Sequence, residues 1–89
     1  MKLFVIYDVE DDRTRLKVAT LCQDYGLARV QYSMFFGELS ANRRDELGQR
    51  LRRLVGKRTA YIVLLPLCER DLAAMQEVGA PLCRLPLPI

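Results

Sequence analysis

The first strand-like run of the chain, Lys2–Val9 (KLFVIYDV), is apolar at consecutive positions rather than at alternate ones. Successive side chains of a strand point to opposite faces of a sheet, so such a run needs cover on both sides. In a chain of 89 residues, one layer of helices covers one face only. The run therefore predicts a central strand, and a second copy of the chain is the expected cover for the other face.

Two segments carry apolar residues at helical spacing. The first predicted helix is Arg13–Tyr25, capped by Asp11 or Asp12 and followed by Gly26. The second predicted helix is Ala41–Val55, which follows Ser40 and ends at Gly56.

The remaining segments are mostly strand-like. Ala28–Leu39 is either one bent strand or a tight hairpin with its turn at Tyr32–Ser33. Three further predictions follow along the chain: a strand over Thr59–Leu65 ended by Pro66, a short helix over Glu69–Val78, and an extended edge segment or exchanged arm over Pro81–Ile89.

The order β-α-β(β)-α-β with a terminal β segment predicts an α+β, ferredoxin-like domain with both helices on one sheet face. The whole chain, residues 1–89, forms one domain in this interpretation. Residues 1–67 are its core, and residues 68–89 are a C-terminal segment expected to complete a symmetric homodimer.

The chain contains no histidine, which excludes Ser-His-Asp and Cys-His nucleophiles and histidine-ligated zinc. Its three cysteines, Cys22, Cys68 and Cys83, are widely spaced and are predicted to be small buried hydrophobic residues. No apolar segment approaches the roughly 20 residues of a membrane helix, and no signal peptide is evident. A soluble, cytoplasmic protein with no membrane partner is therefore expected.

Asp8 ends the first strand and is the principal candidate for chemistry. Its carboxylate either reaches a metal ion or substrate, or stabilises the turn into the helix. Mg²⁺ uses few protein carboxylates, so two Asp8 side chains related by a two-fold axis would suit one ion, with Mn²⁺ as a substitute. Such an ion supports phosphodiester hydrolysis without histidine.

The 14 basic residues outnumber the 11 acidic ones and fall into two groups. The second group is either a solvated helix face or a phosphate-contacting surface without sequence preference. The first group comprises Arg13, Arg15, Lys17 and Arg29, and the second comprises Arg43, Arg44, Arg50, Arg52, Arg53, Lys57 and Arg58.

Four motifs occur in a specific order: Tyr7-Asp8, then VEDDRTRLKVA, then Tyr25-Gly26, then RVQYSMFFGEL. Together they resemble the CRISPR-associated protein two family, the small proteins of spacer acquisition, over residues 1 to about 67. The resemblance implies a ferredoxin-like fold in a symmetric homodimer, with two short strands around Tyr32–Ser33.

The resemblance also assigns roles to individual residues. It makes Asp8 the metal ligand, with Tyr7 beside it, and associates Arg15, Arg29 and Phe35 with nuclease activity. Lys17 stands where some relatives carry arginine, which removes the bidentate fork that suits phosphate. Phe36 stands where many relatives carry glutamate, which excludes a metal role at that position.

The implied function has two layers. The dimer bridges two copies of the CRISPR integrase and binds duplex DNA, and many members cleave double-stranded DNA or single-stranded RNA with a metal ion. Two alternatives are a toxin-type ribonuclease on the same fold and a non-catalytic ferredoxin-like binding module.

Overall fold

The computed structural model describes residues 1–79, within which seven elements follow one another: β1 (Lys2–Val9), α1 (Asp12–Asp24), β2 (Ala28–Gln31), β3 (Met34–Glu38), α2 (Ala41–Val55), β4 (Ala60–Leu67) and α3 (Glu69–Ala74). The four strands form one antiparallel sheet in the order β2-β3-β1-β4. This order is that of a ferredoxin-like sandwich, so the α+β prediction and the central position of β1 are confirmed. The terminal β segment predicted over Pro81–Ile89 lies outside the described residues.

Local hydrogen bonds explain where the two long helices begin. Asp11 is the N-cap of α1, and its carboxylate accepts from the Thr14 backbone N–H at 2.8 Å and from the Thr14 hydroxyl at 2.7 Å. Ser40 caps α2 by accepting from the Arg43 backbone N–H at 3.2 Å. Gly56 ends α2 with φ 56°, a conformation that costs glycine least.

The main core lies between the sheet and the helices α1 and α2, on what we call the helix face of the sheet. β1 contributes its alternate residues to this face, because side chains along a strand point to opposite sides. The fully or almost fully buried members include Leu3, Val5, Tyr7, Val9, Val18, Leu21, Cys22, Tyr25, Phe35, Leu47 and Leu51.

The opposite side, the open face of the sheet, is covered in part by α3. Leu72 packs with Phe4, Val30 and Phe36, and the Phe4 and Phe36 ring centroids are 4.6 Å apart. We expected a second copy to supply the whole cover, but this chain supplies part of it. Ile6 remains 39% exposed and Leu65 remains 42% exposed.

The structure distinguishes the two alternatives for residues 28–39. β2 and β3 are separate strands that pair antiparallel, with a turn at Tyr32–Ser33 between them. The hairpin is therefore correct, as the family resemblance implied.

Three local predictions were wrong. β4 continues through Pro66 to Leu67, because β4 flanks only β1 and the proline nitrogen can face the side that has no described strand. α3 ends at Ala74 rather than at Val78, since Met75 becomes extended and packs beside Leu72. Cys68 is exposed rather than buried, because it stands at the N-cap of α3.

Cys22 meets the expectation of a buried hydrophobic residue, and burial raises the pKa of its thiol to about 12. Cys83 lies outside the described residues. No helix within residues 1–79 is long and apolar enough to cross a membrane.

Candidate nucleic-acid and metal site

Several candidate residues meet at one end of the sheet, which we call the Asp8 end. Val9 at the end of β1 pairs with Ala60 at the start of β4, so the loop that carries Lys57 and Arg58 adjoins Asp8. The Tyr7 backbone N–H donates to the Ser33 carbonyl at 3.0 Å, which brings the β2–β3 turn to the same end. α1 also begins here, four residues after Asp8.

Asp8 lies on the open face and is exposed. Its partner in the ladder is Tyr61 of β4, which is 71% exposed. Among residues 1–79 no basic side chain lies within ion-pair distance of the Asp8 carboxylate. The carboxylate is therefore free to bind a ligand.

Tyr7 lies on the helix face, on the other side of β1 from Asp8. Its side chain is buried and stacks on Phe35, with ring centroids 6.2 Å apart. The hydroxyl has no hydrogen-bond partner among the described residues. Burial raises the pKa of the Tyr7 phenol, although the nearby Arg29 guanidinium acts in the opposite direction. Tyr7 is therefore a neutral hydrogen-bond donor at physiological pH rather than a base.

Arg29 extends this group toward the surface. Its guanidinium carbon lies 5.0 Å from the centroid of the Phe35 ring, within cation–π distance. Its Nη1 also donates to the Tyr32 carbonyl at 2.6 Å, so Arg29 ties the end of β2 to the turn.

Arg15 reaches the same turn from α1. Its Nη1 donates to the Val9 carbonyl at 2.8 Å, and its Nη2 pairs with Asp12. The guanidinium carbon lies 5.7 Å from the centroid of the Tyr32 ring. Four predicted site residues thus form one group, Tyr7, Arg15, Arg29 and Phe35, while Asp8 lies on the opposite face of β1.

Tyr32 contacts both of these arginines and is a candidate site residue that the sequence did not predict. From the sequence, Tyr32 is predicted only to lie at a bend or a hairpin turn. The signal available was a large aromatic residue at a turn, where no core position requires one. Its side chain is 67% exposed, so the Tyr32 ring does not serve to fill the core.

Three arginines of α2, Arg43, Arg44 and Arg50, lie away from the Asp8 end. The guanidinium carbons of Arg43 and Arg50 lie 4.6 and 5.6 Å from the ring centroid of Tyr25, and Arg50 Nη1 donates to the Tyr25 hydroxyl at 3.3 Å. Arg44 contacts Asp45 at 3.1 Å and the sulfur of Met1 at 3.2 Å. These three guanidiniums are held by neighbouring side chains.

The later basic residues are exposed, and within residues 1–79 none of them has an ion-pair partner within 4 Å. They lie toward the C-terminal end of α2, which leads into β4 beside Asp8. Arg13 and Lys17 are similarly exposed on α1. The second basic group of the sequence is therefore divided into a held group and a free group, the latter comprising Arg52, Arg53, Lys57 and Arg58.

The residues at the Asp8 end fit a metal ion only in a limited way. No group of three or more metal-ligating side chains occurs in the described part of the chain. Asp8 supplies one free carboxylate, which suits an ion that keeps several waters and also binds substrate phosphate, as Mg²⁺ does. An enclosed, all-protein site within one chain is not what this donor set favours.

The fold and these residues define a class: small ferredoxin-like proteins with an exposed aspartate at the end of the first strand and arginines around it. The family model for CRISPR associated protein Cas2 matches residues 1–75. The chain belongs to this Cas2 family.

Individual relatives agree with this assignment. A CRISPR-associated endoribonuclease Cas2 of Desulforudis audaxviator is 50% identical over 78 residues, which are 88% of this chain and 74% of the relative. One from Korarchaeum cryptofilum is 39% identical over 79 residues, which cover 89% of this chain and 85% of the relative.

Solved structures are similar in fold. The crystal structure of Streptococcus pyogenes Cas2 at pH 6.5 matches with a TM-score of 0.74 and 27% identity, and covers 89% of this chain and 100% of that one. A hypothetical protein from Thermus thermophilus matches with a TM-score of 0.79 and 31% identity, and covers 99% of this chain and 96% of that one.

Proposed function

We propose that this chain is a CRISPR adaptation protein that works as a symmetric homodimer, binds duplex DNA and bridges the CRISPR integrase. The observation that carries the proposal is the family match over residues 1–75, which contain the whole Asp8 end. The cytoplasm is the compartment in which we expect it to act.

The open face supports the proposed dimer. Beside α3 it retains an apolar groove of about 480 Å³ whose lining includes Ile6, Val30, Met34 and Leu65. Exposed apolar surface of this kind gains stability when a second copy covers it. A two-fold axis near β1 would also bring two Asp8 carboxylates toward one another.

The free arginines support the proposed DNA binding. The free group at the C-terminal end of α2, with Arg13 and Lys17, offers unpaired positive charge near the Asp8 end. Contacts from such residues to phosphate carry no sequence information, so the duplex would be bound for its backbone alone.

Endonuclease activity is the second candidate function, and the names of the curated relatives favour it. Asp8 would hold Mg²⁺ or Mn²⁺, and the ion would polarise the phosphate and activate water. Arg15 and Arg29 would orient the nucleic-acid backbone, and Tyr7 would remain protonated beneath them. RNA is the substrate class that those names indicate, and duplex DNA is the alternative.

Asp8→Asn tests the enzymatic proposal, because it keeps the shape of the side chain and removes its charge. Cleavage of single-stranded RNA and duplex DNA should require Mg²⁺ or Mn²⁺, stop in chelator and be lost in this variant. Glu38→Gln is the matched control, since Glu38 is an exposed carboxylate at the other end of the same face. Cleavage by Asp8→Asn at the wild-type rate would place the activity elsewhere.

Integrase bridging needs its own test. Purified integrase and this chain should elute together as one complex, and spacer acquisition in cells should require both proteins. Asp8→Asn should still support acquisition if the scaffold role is separate from cleavage. Activity without any integrase partner would favour the toxin-type ribonuclease, and binding without cleavage or acquisition would favour the simple module.

A further inference from the structure

The β2–β3 turn presents an aromatic ring that neither the core nor the proposed metal site uses. Tyr32 is 67% exposed; the Arg15 guanidinium of α1 lies near its ring, and Arg29 of β2 donates to its backbone carbonyl. Large aromatic rings are seldom left exposed at turns for structural reasons, since burial would stabilise the fold.

The turn is held in place from both sides. Arg29 of β2 donates to the Tyr32 carbonyl at 2.6 Å, and the Ser33 carbonyl accepts from the Tyr7 backbone N–H at 3.0 Å. Because both residues of the turn are bonded to the sheet, the ring projects from a fixed backbone. A ring on a fixed backbone has less conformational entropy to lose when a ligand packs against it.

One side of the ring is already occupied. The Arg15 guanidinium lies 5.7 Å from the ring centroid, and Arg15 is itself held by the Val9 carbonyl and by Asp12. With 67% of the side chain exposed, the remaining surface of the ring is free to contact a flat ligand.

The Tyr32 ring also lies outside the open face, which is the surface proposed to form the dimer. Its contact with Arg15 places it toward α1, on the helix side of the sheet end. The open face, which the second copy is proposed to cover, carries Ile6, Asp8 and Leu65 instead. The ring therefore stays accessible in the proposed homodimer.

We infer that Tyr32 is a stacking platform for an unpaired nucleobase, with the nearby Arg15 and Arg29 guanidiniums supplying positive charge that favours the adjoining phosphates. Bases stack on aromatic side chains whatever their identity, and neighbouring arginines neutralise the backbone. A fully paired duplex offers a free base face only at its ends. The ligand class is therefore single-stranded nucleic acid or the unpaired end of a duplex, an inference that rests on the proposed nucleic-acid function.

Binding to two probes in chelator tests this assignment without interference from cleavage. One probe is a single-stranded oligonucleotide that carries the fluorescent base 2-aminopurine, and the other is a covalently closed circular duplex, which has neither ends nor unpaired loops. Tyr32→Leu keeps apolar bulk and removes the π-face. It should weaken binding of the single strand about tenfold and abolish quenching of the 2-aminopurine, while duplex binding stays unchanged.

Two further variants sharpen the comparison. Tyr32→Phe keeps the ring and should bind and quench as the wild type does. Tyr61→Leu is the matched control, because Tyr61 is 71% exposed, yet within residues 1–79 no arginine lies over its ring. It should bind the single strand as the wild type does.

The outcomes separate this inference from the proposed function. Single-strand binding and quenching that survive in Tyr32→Leu would overturn the stacking role and leave duplex binding intact as a function. An equal loss for both probes would also overturn it, since a general change in charge or fold would then be the cause. Wild-type protein that binds neither probe would overturn the proposed function itself.

Discussion

At the scale of single residues, the most consequential neighbours are Tyr7 and Asp8, which lie on opposite faces of β1. The two-residue period of a strand separates them, however close they are in sequence. Asp8 therefore lies on the open face, where the second copy is proposed to pack. Tyr7 acts on the helix face, where it supports Phe35 and, above it, Arg29.

Tyr7→Phe should stabilise the protein. The variant removes a buried hydroxyl that lacks a hydrogen-bond partner in residues 1–79, and such a group costs about 1–3 kcal/mol. We expect the free energy of unfolding in urea to rise by about 1 kcal/mol. Tyr25→Phe is the matched control and should destabilise, because the Tyr25 hydroxyl does accept from Arg50. A fall in stability for Tyr7→Phe would show that the hydroxyl is bonded in solution.

Asp11 should make stability depend on pH. The Thr14 hydroxyl and backbone N–H hold the pKa of the Asp11 carboxyl below its usual value. A carboxyl whose pKa is lower in the folded than in the unfolded protein stabilises the folded state. This stabilisation is fully present at a pH above the unfolded-state pKa, and it is lost as the pH falls through the folded-state pKa.

Asp11→Asn keeps the cap without titrating there, so its melting temperature should fall less steeply than that of the wild type between about pH 5 and pH 2. Thermal melts monitored by circular dichroism measure the difference. Identical pH profiles would mean that Asp11 does not contribute.

At the scale of elements, the sequence predicted the helices and strands whose bounds depend on the local pattern of apolar and capping residues. Periodicity and caps indicated β1, α1 and α2 within a residue at each end, and the family motifs indicated the hairpin. The course of β4 through Pro66 depends on its place in the sheet, and the cover from α3 depends on packing between distant segments. Neither the position of a strand in the sheet nor the packing of distant segments can be read from the pattern of neighbouring residues.

The same distinction applies to the candidate site. Asp8 was identifiable because a charge ends an apolar strand, and the alternation of β1 already places it opposite Tyr7. The clustering of Arg15 with Tyr32 was not predictable, since it requires α1 and the β2–β3 turn to meet in three dimensions.

The arginines of α2 should contribute unequally to duplex binding. Arg53 is exposed and, in the described chain, has no ion-pair partner, whereas Arg44 is already paired with Asp45. Arg53→Gln should reduce the slope of log affinity against log salt by about 1, and Arg44→Gln should reduce it less. Filter binding over a range of salt concentrations provides the slopes. Arg70→Gln on α3 is the control, and a slope that changes equally in all three variants would contradict the distinction.

At the scale of the whole molecule, the two layers of the domain leave different surfaces. The helix layer is polar outside and rich in arginine, while the sheet is only partly covered by α3. An association through the open face would leave the arginine-rich layer exposed on both copies, in keeping with the proposed binding of duplex DNA.

Leu65→Arg should disrupt the dimer, because Leu65 is 42% exposed on the open face and a charge buried there costs free energy. Light scattering at micromolar concentration should give twice the 10.3 kDa chain mass for the wild type and the monomer mass for the variant. Leu16→Arg is the control, since Leu16 is exposed on α1 in the other layer, and it should remain dimeric. A wild-type chain that is monomeric would contradict the assembly.

Pro66 has a consequence for aggregation. Proline has no N–H, so its nitrogen cannot donate to β1 or to any strand that adds beside β4. A long, regular strand at the edge of a sheet can pair with strands of other chains, and such pairing can continue without limit. A missing backbone N–H donor on the edge strand interrupts this pairing. Another chain that pairs along β4 therefore finds regular donors only before Pro66, which favours a short, bounded contact over open-ended sheet growth.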